Sequence, residues 1–295
     1  MFQKALLALA ATSVLVWPST AIAATAGPVV VTWNIDSVEA GNDTAAFASA
    51  AMDCIAALTP LPQIVVVQEA LQSQFDTYIS ELQNRTGLAW SGVFATHCAP
   101  AGWTGDGCSA AQDEGVGILS SLPIVDTSST YLPFPDEWHS ARAAVRAAVN
   151  IGGRVVQVFG AHMSNTTDVR NSMMTALIAY AHPFPLPQLV AGDFNADPDQ
   201  IDAAGAMGAS FRDAWAAVGS GPGYTANTPN PTMHLDYWFT DMSAQIQPSW
   251  ATVVTAPGQL SDHFPVQAGF SLGAPSGPSS PTGLKIASGG LRVKP

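Results

Sequence analysis

Short apolar runs recur along the chain, and each breaks off at a polar group. Val29-Val30-Val31 leads to Thr32-Trp33-Asn34, and Ile64-Val65-Val66-Val67 leads to Gln68-Glu69. Val155-Val156-Gln157-Val158-Phe159 leads to Gly160-Ala161-His162, and Leu186-Pro187-Gln188-Leu189-Val190 leads to Gly192-Asp193-Phe194-Asn195. Such runs predict buried strands. Between them the period changes. Phe75, Tyr78, Ile79 and Leu82 stand at i, i+3, i+4 and i+7 and predict a helix over Ser73 to Thr86, with Gly87 as its stop. Thr44 to Leu58 is Ala-rich and helical, Asp168 to Ala181 is a helix opened by Thr166-Thr167, and Ile201 to Met207 is a short one. Ala89 to Ala95 and Gly115 to Ser120 read as strands. Ala141 to Ile151 and Arg154 to Ala161 read as a hairpin turning at Gly152-Gly153. His234 to Thr240 and Pro265 to Phe270 are late strands. Strands alternating with helices place the chain in the α/β class.

The ends differ from the body. Lys4, the apolar run Ala5 to Trp17 and the small residues Ala21-Ile22-Ala23 make residues 1–23 a secretory signal, the run being too short to span a bilayer. An N-terminal membrane anchor is the alternative. Residues 24–272 suffice for one large domain with its own core. Residues 273–295 are rich in Pro, Gly and Ser and read as a disordered tail. The expected location is therefore outside the cell or in the periplasm. Three cysteines fit export. Cys98 and Cys108 flank a Gly-rich loop and predict a disulfide; a metal clip with His97 would be one ligand short of a structural zinc site. Cys54 reads as a buried free thiol.

Charge changes the picture of the partner. All 22 acidic residues lie between Asp36 and Asp262, and the body holds six basic residues, every one Arg, for a net charge of −16. A duplex-binding surface offers several Lys or Arg to phosphates. This surface disfavours tight binding of a polyanion and leaves weak, nonspecific contact open.

The polar groups at the strand ends carry the chemistry. With Leu235-Asp236-Tyr237 and Ser261-Asp262-His263, they offer Asn34, Glu69, Asp193, Asn195, Asp236, Asp262, His162 and His263. Strand ends along one edge of a sheet can gather them into a hard-metal site with an acid/base pair beside it. Each has a plainer reading. Glu69 can cap a helix, Asp193-x-Asn195 can cap its own turn, and a histidine after a strand can be a hydrogen-bonded structural residue.

Together these motifs, in this order, resemble the endonuclease/exonuclease/phosphatase superfamily over roughly Val29 to Phe270. Gly115-Val116-Gly117-Ile118-Leu119-Ser120-Ser121-Leu122-Pro123-Ile124 and Arg142 add to the likeness. The resemblance implies a four-layered α/β sandwich of two mixed β-sheets flanked by helices. It implies a metal held by Asn34, Glu69 and Asp262: Mg²⁺, with Mn²⁺ or Ca²⁺ as alternatives. His263, oriented by Asp236, is then the general base or a phosphate contact. Asp193 orients the attacking water or binds a second metal. Asn195 and His162 contact the phosphate or leaving group, and Arg142, or alternatively Arg146, neutralises it. One departure is His234, where the family often carries Arg before the Leu-Asp-Tyr motif. His97, His139 and His182 read as surface or structural.

The resulting expectation is a secreted, metal-dependent phosphodiesterase, first a nonspecific endonuclease on DNA or RNA. The alternative is a sphingomyelinase-like enzyme on lipid or small phosphodiesters, with transient membrane contact through an exposed-looking apolar loop, Tyr131 to Trp138, whose plainer reading is ordinary packing over the sandwich edge. A noncatalytic module on the same fold is a third reading. It is disfavoured because every expected ligand and histidine is present. No obligate protein partner is expected, and the chain should act as a monomer.

Overall fold

The structure is a computed structural model and describes residues 25–38, 41–97, 114–135 and 141–273. The expected signal, the tail beyond Gly273, His139 and the Cys98–Cys108 pair lie outside the described residues. One sheet contains β1 (Thr25–Asn34), β2 (Ile64–Leu71), β3 (Ser91–Thr96), β4 (Glu114–Ser120), β11 (Ile246–Val253) and β12 (Val266–Leu272), in the order β11-β12-β1-β2-β4-β3. The other contains β5 (Ile124–Pro135), β6 (Ala141–Ile151), β7 (Arg154–His162), β8 (Gln188–Asp193), β9 (Phe211–Asp213) and β10 (Asp236–Asp241), in the order β5-β6-β7-β8-β10-β9.

The period-2 alternation within the runs builds the layers. Ile64 and Val66 face the core between the sheets, where they join Val116, Ile118, Val145, Val158, Leu189 and Trp238. Val65 and Val67 face outward onto α1 (Ala45–Ala56) and α2 (Gln72–Thr86), meeting Met52, Ile55, Tyr78 and Leu82. On the other sheet Phe159, Val190 and Tyr237 face outward onto Met173, Met174 and Leu177 of α3 (Thr167–Ala181). The result is helix, sheet, sheet, helix, the expected four-layered sandwich. Gly87 ends α2 in the left-handed conformation at φ 69°.

Several expectations need correction. Of the Tyr131 to Trp138 segment, 136–138 lie outside the described residues, and the part up to Pro135 follows the packing reading and not the membrane-contact one. That part is the end of strand β5 paired to β6, with Leu132 fully buried. The short helix at 201–207 is two, α4 (Pro198–Ala204) and α5 (Ala206–Ser210), parted by Gly205 at φ 70°. Cys54 is free but only half-buried. β5, β9, β11 and α6 (Ala214–Val218) escape the apolar-run pattern. Among the described residues β5 and β11 stand at the sheet edges, where one side lacks a partner strand and polar residues or Pro248 cost little. Among the described residues no helix is long and apolar enough to cross a membrane.

Topology decides what meets at the edge. β1 runs parallel to β2, and β7 parallel to β8, so each pair finishes at one end of its sheet. β4 and β10 run antiparallel to β2 and β8, so their first residues, Glu114 and Asp236, lie at those same ends. His162 faces Asp193 across one strand pair, and Asp193 faces Asp236 across the next. Gly192 permits this register: its φ is 145°, and a Cβ there would stand 1.8 Å from the Ala161 carbonyl oxygen.

Candidate active site

Asn34 ends β1 and reaches both sheets. Its amide nitrogen donates to Glu69 Oε1 at 2.9 Å and to Asp193 Oδ2 at 3.1 Å, while its Oδ1 accepts from the Asp36 backbone at 3.2 Å. Glu69 lies within a register shift of β2 against β4, between Val67 and Ala70, with φ at 50°. A bulge of this kind re-aims a side chain, and the left-handed backbone of a non-glycine residue marks local strain.

The His263 loop is stapled to β1. Ser261 Oγ donates to the Asn34 carbonyl at 2.7 Å and accepts from the His263 amide at 2.9 Å, and Trp33 Nε1 donates to the His263 carbonyl at 3.0 Å. These bonds set the imidazole between two buried carboxylates. Its Nδ1 lies 2.7 Å from Asp236 Oδ2 and its Nε2 lies 3.8 Å from Asp193 Oδ2. Burial pushes the imidazolium down, but the charges of Asp236 and Asp193 prevail and hold the pKa well above the ordinary value.

His162 approaches from the other side. Its Nε2 stands 3.5 Å from Asp193 Oδ2, 3.8 Å from Glu69 Oε1 and 3.1 Å from the Asn195 amide nitrogen. Its Nδ1 stands 2.8 Å from Arg142 Nη1. A guanidinium only donates, so Nδ1 accepts and the ring proton belongs on Nε2, facing the cleft. A neutral ring with its proton on Nε2 cannot also accept there, so the Asn195 amide meets it as a contact and not as a hydrogen bond. Burial first, then the charge of Arg142, holds His162 well below the ordinary imidazole pKa, as a neutral donor. Asn195 has φ 48° and its amide donates to the Met163 carbonyl at 2.9 Å.

Asp193 serves two purposes. Oδ1 accepts from the Asn195 backbone at 2.8 Å, which is the plain turn-capping role, while Oδ2 faces Asn34 and both histidines. Arg142 stands at the site and Arg146 does not. Arg146 pairs with Asp126, donates to Gln157 and lies 4.0 Å over the Phe184 ring. Asp262 sits at the rim, its side chain 65% exposed and Oδ1 3.9 Å from His263 Nε2. His234 stacks on Tyr237 at 4.3 Å between centroids. Arg142→Ala is expected to lower kcat about 10–100-fold and, because it strands His162 and Glu114, to lower the melting temperature as well. Arg146→Ala should leave kcat intact and cost about 2–3 kcal/mol in urea unfolding, because it strands buried partners. A loss of kcat with Arg146→Ala alone would exchange the two assignments.

Two residues of this edge were not expected. Glu114 Oε1 lies 3.4 Å from Arg142 Nη1 and 3.9 Å from His162 Nδ1. His97 is buried, not on the surface, and its Nδ1 lies 3.2 Å from Glu114 Oε1. Only one of them obeys the rule that exposed the others. His97 directly follows an apolar strand, and Glu114 opens an antiparallel one.

Acid exceeds base in this cleft. Burial, with Glu114 nearby, raises the Glu69 pKa to about 8, and burial raises that of Asp193 to about 6. Carboxylates made costly in this way favour a bound cation that can displace the proton. The donor set, oxygen-rich and partly open at Glu69, fits a hard divalent ion. Asn34 would need its amide turned over to offer oxygen, since the carbonyl now serves the Asp36 backbone.

A cation site flanked by two imidazoles and one guanidinium, on the strand ends of a four-layered sandwich, defines a metal-dependent phosphoesterase. The chain belongs to the Endonuclease/Exonuclease/phosphatase family, whose sequence pattern it matches over residues 31–263. No curated protein matches it significantly in sequence. Solved structures share the fold. A family member from Bacteroides thetaiotaomicron is 15% identical with TM-score 0.66, covering 85% of this chain and 100% of that one. D. rerio TDP2 complexed with a single-strand DNA product is 18% identical with TM-score 0.62, covering 83% and 98%. A mannosyl-6-phosphatase from Bacteroides thetaiotaomicron is 16% identical with TM-score 0.61, covering 82% and 99%.

Proposed function

We propose that this chain is an exported phosphodiesterase that cleaves nucleic acid without sequence preference, using Mg²⁺ held chiefly by Glu69. The observation that carries this reading is the convergence of two imidazoles of opposite character on Asp193 Oδ2, at 3.5 and 3.8 Å. Diester cleavage needs a group that takes a proton from water and a donor toward the phosphate or the departing oxygen. His263 Nε2 takes the proton, with Nδ1 held by Asp236. His162 donates from Nε2 as a neutral ring, and Arg142 balances phosphate charge. A divalent ion held there would supply Lewis-acid stabilisation of the phosphoryl oxygens. With the Asp193 charge so offset, His263 would be lowered toward the range in which Nε2 can accept a proton, while Asp236 keeps its Nδ1. Asn34, with its amide turned, and Asp262 at the rim are the further oxygen donors. Mn²⁺ and Ca²⁺ have the same ligand preference.

A second reading, hydrolysis of a lipid or small phosphodiester, has its own support in the arginines. Arg85 pairs with Asp53 and Glu81, and Arg146 pairs with Asp126. Arg154 binds Gln245 and the Gly273 carbonyl, and Arg212 binds Gln247. Arg170 is buried against the Asn165 and Asn195 carbonyls. Of the six, only Arg142 reaches His162, and Arg170 is buried behind Asn195, so among the described residues no basic track extends from the site for a long polyanion. Turnover of plasmid DNA, sphingomyelin vesicles and bis(p-nitrophenyl) phosphate, each with Mg²⁺ and with chelator, separates the readings. Metal-dependent DNA nicking supports the nuclease. Phosphocholine release without nicking transfers the reading to lipid, and silence on all three overturns it.

Export through residues 1–23, a Cys98–Cys108 disulfide and a monomeric state belong to the same proposal. Mass spectrometry of the nonreduced secreted protein tests the first two, and light scattering tests the third.

A further inference from the structure

His97 has no part in the chemistry above, yet it is buried on the same edge. His97, Glu114 and His162 offer ligand atoms within 4.8 Å of one another, which raises the possibility of a second metal. Arg142 argues against it. Its Nη1 lies 2.8 Å from His162 Nδ1 and 3.4 Å from Glu114 Oε1, so a full positive charge already stands between two of the three ligands. A cation there would have to displace the guanidinium.

The contacts form a chain instead: His97 Nδ1 to Glu114 Oε1 at 3.2 Å, Glu114 to Arg142 at 3.4 Å, Arg142 to His162 at 2.8 Å. It crosses the sandwich, because His97 and Glu114 border the first sheet and Arg142 and His162 belong to the second. We propose that His97 is a positioning residue that holds the Glu114 carboxylate against Arg142, and thereby fixes the His162 tautomer that presents Nε2–H to the phosphate. The inference rests on the roles proposed above for Arg142 and His162.

The electrostatics agree with this order. Burial raises the Glu114 carboxyl, but the His97 hydrogen bond and charge, then Arg142, bring it below the ordinary value. The side-chain link is not needed to join the strands. The His97 amide already donates to the Glu114 carbonyl at 2.7 Å, continuing the β3–β4 ladder that pairs Thr96 with Gly115. Among the described residues His97 Nε2 has no hydrogen-bond partner, and Nδ1 carries the imidazole's polar contact with Glu114.

The test uses the full mature chain. Two-bond proton–nitrogen correlation spectra of the His162 ring read its tautomer directly, and turnover of bis(p-nitrophenyl) phosphate with Mg²⁺ reads the consequence. His97→Leu is expected to mix the two His162 tautomers and lower kcat about 10-fold, as loss of a supporting hydrogen bond does, with KM little changed. His97→Asn keeps a donor near the Nδ1 position and should restore both readouts. His97→Ser replaces the Leu variant if that one fails to fold. Adding Glu114→Gln to His97→Leu should cost no further activity, because the two act in series. An unchanged tautomer and kcat in His97→Leu, or fully additive losses, would overturn the proposal. So would Zn²⁺ binding by the wild type that vanishes with His97→Leu. If His97→Leu is silent while Arg142→Ala is impaired, only the role of His97 falls. If Arg142→Ala is silent too, the reading of the site falls with it.

Discussion

His263→Ala is expected to lower kcat by about 10³-fold in a variant that still folds but melts lower than wild type, since Asp236 loses its buried partner. General acid–base groups contribute roughly 10²–10⁴-fold. His263 is the imidazole whose two nitrogens are divided between an orienting carboxylate, Asp236 at 2.7 Å, and the cleft. The backbone bonds that seat its loop, from Trp33 and Ser261, do not involve the ring and survive the substitution. Asp236→Asn should follow with a smaller loss, since an amide can turn its nitrogen to Nδ1 and favour the wrong tautomer. Steady-state kinetics on the preferred substrate, beside circular dichroism, provide the check. Full turnover by folded His263→Ala would remove this residue from the chemistry.

The second large effect concerns Glu69 and couples activity to pH and metal. Its folded pKa is raised from 4.5 to about 8, and that of Asp193 from 3.8 to about 6. The folded chain without metal therefore holds protons that the unfolded chain has released. Stability is complete below the ordinary carboxyl range and declines as pH rises, through about 6 for Asp193 and about 8 for Glu69. Each pH unit of displacement corresponds to about 1.4 kcal/mol at most, and the partial exposure of Glu69 reduces its share. Glu69→Gln should flatten the upper part of this decline, so that the metal-free variant melts higher than wild type at pH 8. It should also abolish activity and the rise in melting temperature that Mg²⁺ gives the wild type. Thermal melts across pH 4–9, with and without Mg²⁺, measure both effects. A variant that keeps its Mg²⁺-dependent rise would show that the ion binds elsewhere.

Much of this architecture is legible in one dimension. A buried strand must be apolar on both faces when helices cover one side and a second sheet the other. The runs ending at Asn34, Glu69, His162 and Asp193 announce themselves for that reason. The edge strands β5 and β11 do not, because among the described residues one flank of each faces no partner strand and tolerates polar residues and proline. Helix α2 is plain from its spacing and from Gly87. The break at Gly205 is not, because a single glycine can lie inside a helix or end one.

The site divides in the same manner. The order of polar groups after apolar runs named Asn34, Glu69, His162, Asp193 and His263 as candidates, because only a functional edge would place so many at strand ends. The choice between Arg142 and Arg146 could not be made along the chain. They share one strand, and only the fold shows that one meets His162 while the other is buried beneath Phe184. Glu114 was missed because its meaning depends on strand direction. β4 runs antiparallel to β2, so the beginning of one strand and the end of the other share an edge. Local sequence determined which segments would be strands and which residues would end them, since burial and period act over a few residues. The tertiary structure alone decided which ends would meet, because hydrogen-bond pairing and strand direction join residues more than a hundred positions apart.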